Sequence, residues 1–464
     1  MLFWTPVVDL SVISILLLVA TILRARSGFV QKLLIPNALL AGFIGLIIRF
    51  ILQRYLGVTM INTEYGTAYV YHLLNLSFAA LAITAPIPFR SIVTAKLKGP
   101  SSTGIYMSFM LCLQSFVGFF VTILLIRTFY PDLFASFGFM MAWGFTLGPG
   151  QAASIGQGLE TVGFTNGSSI GLIFGALGFA WACLIGIPLI HWGIRKGYAS
   201  FVKSPEEIRG LSGILSKGSR SQSAGRLTTS SEAIDTLTLQ LVLCALVYLL
   251  AYALVNSMVS ASEARGSEMG GVLWGFVFLF TAMIGVQVRY FMDRLKVGYV
   301  VDPGIQTRIS GTCVDYMVAI AVTIIPLTIA WEFAVPILLV GTTGAITTLL
   351  VTIWLTKRIW DDHHFERLIL CYGTLTGTIG TGMALLRVID PHYRSPAALH
   401  YALGMWLTLL LMAPLLVVQN LTISMGNEIV LMILFAYTCF LFGMWRVMKL
   451  WNTKKPITKL WPEE

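Results

Sequence analysis

Residues 371–391 read "CYGTLTGTIGTGMALLRVIDP", four threonines and four glycines in a short apolar run that ends on Arg387, Asp390 and Pro391. Glycine costs about 1 kcal/mol against alanine inside a helix, so this density predicts broken backbone rather than an ordinary apolar helix. A second stretch, "GFTLGPGQAASIG" at 144–156, has the same character, with Pro149 set between Gly148 and Gly150. Irregular backbone is tolerated within lipid only where protein covers it or where it lines a cavity, because hydrocarbon cannot satisfy its N–H and C=O groups. The fold therefore turns on whether the surrounding chain crosses a membrane.

The surrounding composition points there. Of 464 residues, 56% are hydrophobic and 11% charged, against about 25% charged in soluble domains. Apolar runs of about 18 or more residues, enough to cross a bilayer as helix, recur along the chain. We read eleven spans, near 7–24, 34–52, 68–89, 103–127, 167–194, 235–256, 269–290, 312–330, 333–356, 395–419 and 427–450. The net charge of +10 sits in short basic clusters between spans, the pattern of cytoplasmic loops rather than of a nucleic-acid surface. A lipid bilayer is the expected partner and nucleic acid is not. The first apolar run lacks a basic n-region and reads as an uncleaved span. The six cysteines are scattered singly and read as small buried hydrophobes.

Charge placement predicts topology. Arg24, Arg26 and Lys32, then Arg90, Lys96 and Lys98, then the basic loop after residue 194 all fall in the cytoplasm if the N-terminus lies outside. Segment 138–164 must then enter and leave on the outer side. The later groups "VRYFMDRLK", "KRIWDDHHFER" and "RVMKLWNTKK" are cytoplasmic only if 368–390 likewise returns to its own side. The expectation is an all-α polytopic membrane protein of two inverted-topology repeats, about eleven spans plus two re-entrant Gly-rich hairpins. Residues 1–196 form the first repeat with hairpin 138–164, and 197–234 a basic cytoplasmic linker. Residues 235–420 form the second repeat with hairpin 368–390, and 421–464 an extra helix and basic tail with the C-terminus inside.

Two facing hairpins imply a lined cavity, with half-helix N-termini for an anion and unwound carbonyls for a cation. Thr374, Thr376 and Thr378 share one side of an extended backbone, whereas Thr374, Thr378 and Thr381 share a helix face. The alternative is that small residues here serve close helix packing. Arg387 offers a planar fork suited to a carboxylate, or else pairs locally with Asp390. Gln151 and Ser154 supply donors and acceptors beside Pro149, unless the segment is a kinked helix whose Gln serves its own backbone. Asp315 reads either as a cation or proton site or as a helix N-terminal residue favoured by the dipole. The run "DDHHFE" at 361–366 reads as a solvated loop, not a metal site.

"LLIPNALLAGFIGLI" (33–47), "GPGQAASIGQGLETVGFTNGSSIGLIFGALG" (148–178) and the second Gly/Thr segment together resemble the bacterial sodium/glutamate symporter family. The chain departs from the family's Gly-Gly-His-Gly-Thr-Gly run at "LGPGQA" and from its Thr-Pro-Thr stretch at "IGTGM". The resemblance implies a sodium-coupled carrier for glutamate or a related small carboxylate, homodimeric, in the plasma membrane, moving substrate by displacement of a hairpin-bearing domain. From the residues themselves we assign substrate contacts to Gln151, Ser154, Thr376, Thr378, Thr381 and Arg387, and sodium to Gly148, Thr374 and Asp315. No cofactor is expected beyond sodium as coupling ion. A channel would want repeated filter residues around one pore, and an enzyme a nucleophile–base pair or metal quartet; neither pattern stands in the sequence.

Overall fold

Apolar runs surrounded by hydrocarbon satisfy their backbone only within their own segment, which favours helix throughout. A computed structural model describes residues 4–32, 35–58, 60–84, 98–202, 223–230, 232–264, 273–391 and 394–451, and the described residues contain helices and no strand. The helices are α1 (Thr5–Arg26), α2 (Asn37–Ile51), α3 (Thr63–Thr84), α4 (Lys98–Thr128), α5 (Phe137–Thr146), α6 (Pro149–Glu160) and α7 (Gly167–Arg195) in the first half. The second half supplies α8 (Thr236–Glu263), α9 (Val277–Arg294), α10 (Pro303–Thr323), α11 (Ala334–Ile359), α12 (His364–Ile389), α13 (Ala397–Ser424) and α14 (Asn427–Val447). Arg90, Lys96, most of linker 197–234 and the tail beyond 451 lie outside the described residues.

Eleven helices among the described residues are long and apolar enough to cross a membrane. Their identity differs from the sequence reading at one place. The expected span 312–330 is divided, because α10 starts at Pro303 and stops at Thr323, and Leu327–Glu332 follows Pro326 as a separate short helix. Asp302 sets the early start: its side chain accepts from the Ile305 N–H at 2.7 Å, and Pro303 behind it has no N–H to satisfy. α10 is too polar to count among the eleven, while α12 does count.

The helices pack into two groups. α1, α2, α3, α8, α9 and α10 form one, and α4 to α7 with α11 to α14 form the other. Each half of the chain thus gives its first three long helices to one group and the later ones to the other. The groups touch chiefly where α6 lies on α3 and α10. There Ser154 Oγ donates to the Gly275 carbonyl at 2.8 Å, and Met317 Sδ lies 2.5 Å from where a Cβ on Gly150 would sit.

α4 serves as a ruler for depth, its 31 residues spanning about 46 Å. At its Arg127 end the guanidinium pairs with Glu428 of α14, and near that end Ser136 bonds Thr422 at 2.6 Å. At its other end Thr103 accepts from the Trp360 indole at 3.2 Å, and Arg367 reaches His400 at 3.0 Å. Asp362, Glu366 and Arg367 fasten this end: Arg367 grips Asp362 at 2.6 Å, and Glu366 accepts from the Ser200 N–H at 2.7 Å.

Candidate functional site

The first break follows from its residues. The N–H groups of Leu147 and Gly148 both turn back to the Trp143 carbonyl at 2.9 and 3.0 Å, ending α5. Gly148 then adopts φ 110° and ψ 176°, a region open essentially to glycine alone. Pro149 lacks the donor that the first turn of α6 would leave unbonded, so it opens that helix without loss. Phe134 before α5 and Phe164 after α6 stack at 4.6 Å, so the two outer ends of this helix pair lie together.

α12 breaks in the same manner. Gly377 takes φ −136° and ψ 26°, and Thr378 takes φ 70° and ψ 168°, a costly conformation for a β-branched residue. The chain folds back there, since a Cβ on Gly373 would lie 2.8 Å from Gly382 Cα. In a continuous helix those residues would be about 13 Å apart.

The two breaks meet. A Cβ added to Gly148 would lie 2.6 Å from Thr378 Cγ2 and 3.6 Å from Gln151 Oε1. α7 covers them, with Gly178 so close to the Thr376 carbonyl oxygen that a Cβ would stand 2.2 Å away. Gln114 of α4 fixes their depth. Its Nε2 donates to the Leu375 carbonyl and to Thr348 Oγ1, and its Oε1 accepts from Thr146 Oγ1, each at 2.8 Å. Gln114 is near the middle of α4, so both breaks lie near half the height of the bundle. α6 and the second half of α12 begin at the breaks and direct their positive dipole ends into the contact, whereas α5 and the first half of α12 end there on carbonyls.

The expected site residues divide into those at the contact and those away from it. Gly148, Gln151, Thr378 and Thr381 lie at the breaks. Gln151 is 8% exposed and Thr381 2%, and neither Gln151 Oε1 nor Thr381 Oγ1 has a hydrogen-bond partner among the described residues. The Thr374 and Thr376 hydroxyls instead donate one turn back, to the Leu370 and Tyr372 carbonyls at 2.8 and 2.7 Å. Ser154 faces Gly275, and Asp315 is exposed on α10, two residues from the Met317 that abuts α6. Arg387 is exposed on the second half of α12, about 13 Å along the axis from Thr378. Asp390 accepts from the backbone N–H groups of Arg394 and Ser395, both at 2.8 Å, and so shapes the turn after α12. Sequence reasoning passed over Gln114; its signal was a lone amide inside an otherwise apolar span.

Helix breaks at mid-bundle, with Gly148 and Gly377 buried and Thr378 half-buried, within a stack of membrane-length helices, mark a multi-pass membrane protein with a candidate ligand site between its helices. The family model described as sodium/glutamate symporter matches residues 6–395, and the chain belongs to that family. Membership implies sodium-coupled symport. A comparison with curated proteins found no match, nor did one with solved structures.

Proposed function

We propose that the chain moves glutamate, or a related small carboxylate, across the plasma membrane together with sodium, binding both where the Gly148 and Thr378 breaks meet. The observation that carries this reading is that contact: two helix N-termini converge at mid-bundle on two buried polar atoms, Gln151 Oε1 and Thr381 Oγ1, that lack a hydrogen-bond partner among the described residues. Converging dipole ends favour a carboxylate, and the neighbouring helix C-termini and hydroxyls offer oxygens to a hard cation. Substrate contacts are assigned to Gln151, Thr378 and Thr381, and the sodium ligands to carbonyl oxygens around Gly148 and the end of the first half of α12.

The same reading takes both breaks as tips of re-entrant hairpins entering from opposite faces of two inverted repeats. Its support is the stacking of Phe134 on Phe164 at one end of the bundle and the Arg367–His400 bond at the other. An elevator displacement is supported by the division into two helix groups that touch chiefly along α6. A homodimer with the N-terminus outside and the C-terminus cytoplasmic completes the proposal. Single cysteines placed at 217 and 263 should label from inside and outside respectively; the reverse pattern refutes the orientation.

Uptake by purified protein in proteoliposomes tests the function. Glutamate accumulation should saturate, follow an inward sodium gradient and vanish when potassium replaces sodium. Accumulation driven by a proton gradient alone would refute the sodium coupling, and passive ion conductance would replace the carrier by a channel.

A further inference from the structure

We infer that Gln114 is a positioning residue that ties the two breaks together, so that the substrate and sodium pocket exists only while both hairpin tips hang from this one amide. The inference rests on the proposed tip site, though its structural half can be tested apart from transport. Gln114 is fully buried on α4, outside both broken segments. Its orientation is fixed by its neighbours. The Leu375 carbonyl can only accept, so it takes an Nε2 hydrogen at 2.8 Å. Thr348 Oγ1 already donates to the Gly344 carbonyl at 2.7 Å, so it accepts the second. Oε1 is left to receive the Thr146 hydroxyl at 2.8 Å.

The two contacts fall in the last turn before each break, one on a backbone carbonyl and the other on a side-chain hydroxyl. Leu375 lies two residues before Gly377, and its carbonyl faces a helix that does not continue to supply a fourth-residue N–H. Thr146 is the last residue of α5, two before Gly148. A side chain from a third helix therefore bonds the final turn of each half-helix, one through a single Nε2 hydrogen and the other through its Oε1, while the second Nε2 hydrogen holds Thr348 of α11. No aliphatic residue can do this. A carboxylate in the same place keeps the acceptor but loses both donors and sets a negative charge against the Leu375 carbonyl.

Hydrogen–deuterium exchange on the full-length protein, read separately on peptides covering 140–155 and 370–385, tests the tie. Leaving a buried carbonyl or hydroxyl unbonded weakens a local structure enough to speed exchange about tenfold or more. Gln114→Leu should speed exchange in both peptides, Gln114→Glu chiefly in 370–385, and Thr146→Val chiefly in 140–155, with Thr146→Ser unchanged. Sodium-driven uptake should show the KM for glutamate and that for sodium rising together in Gln114→Leu, and both staying at wild-type values in Thr146→Ser. Unchanged exchange at both breaks in Gln114→Leu, or a change at only one, overturns the inference. If Gln114→Leu does not yield folded protein, the Thr146 pair decides: equal exchange in the Val and Ser variants overturns it. Exchange that opens while both KM values stay fixed overturns the dependence of the pocket on the tie, whereas uptake that never follows sodium or glutamate in the wild-type protein overturns the proposed function instead.

Discussion

Gly148→Ala, taken alone and with Thr378→Ser, tests the contact between the breaks directly. The added methyl meets two separate obstacles. At φ 110° an L side chain costs about 1–3 kcal/mol in backbone strain. The new Cβ would also stand 2.6 Å from Thr378 Cγ2, well inside the roughly 3.5–4.0 Å at which carbon atoms rest. Relieving such overpacking costs about 1–3 kcal/mol. Gly148→Ala should therefore destabilise the folded protein by about 2–6 kcal/mol, the sum of the two terms. Thr378→Ser removes the Cγ2 methyl and keeps the hydroxyl, so in the double variant the overlap term disappears and the backbone term stays. The cycle should show a favourable coupling of about 1–3 kcal/mol. Reversible unfolding in mixed micelles measures the stability. Initial rates of sodium-driven glutamate uptake should recover about 5- to 150-fold from the single to the double variant if the lesion lies in the site, since 1.4 kcal/mol is tenfold. Additivity of the two substitutions within about 0.5 kcal/mol would show that Gly148 and Thr378 are not in contact, and the proposed site would fall with it.

Thr378→Gly should stabilise the fold by up to about 2 kcal/mol in the same unfolding assay, because relief of about 1–3 kcal/mol of strain outweighs the 0.5–1 kcal/mol glycine entropy. A net loss of stability would remove the strain argument. Gln151→Leu should raise the glutamate KM about tenfold while leaving the unfolding midpoint nearly fixed, since Oε1 has no partner among the described residues to lose; a stability loss with unchanged KM would make Gln151 structural. Arg387→Lys should change the KM less than about twofold, given its distance of about 13 Å from the break. A large KM increase there would return Arg387 to the substrate site.

The broken segments were legible because glycine and proline report on backbone regardless of their surroundings. Gly148 and Pro149 are the left-handed turn and the helix start that their residue types favour. The second break was legible only as a region. Four glycines offer themselves in 373–382, yet the left-handed position falls on Thr378, a residue local preference would reject. Packing decides it: Gly373 against Gly382 and Gly377 against Thr381 close the fold-back, and each needs its glycine there. Side-chain direction was less legible still. Period-two spacing put Thr374, Thr376 and Thr378 on one side only if the backbone were extended, but 374 and 376 remain helical and bond the preceding turn. Gln114 could not be tied to either break from sequence, because its partners there are 32 and 261 residues away.

In the proposed site the tip residues Gly148, Gln151, Thr378 and Thr381 carry no ionisable group, and its positive potential comes from two helix N-termini of about half a charge each. Glutamate at neutral pH has two carboxylates and one ammonium, a net single negative charge, and burying it at mid-bundle against dipoles alone leaves much of its hydration cost uncompensated. A sodium ion on the adjoining carbonyls supplies a full positive charge at short range in a medium where charges interact strongly. Each ligand then binds better in the presence of the other, and the effect is necessarily mutual. Symport in this arrangement needs no titrating side chain at the tips: coupling follows from a neutral pocket that holds the anion and the cation well only as a pair.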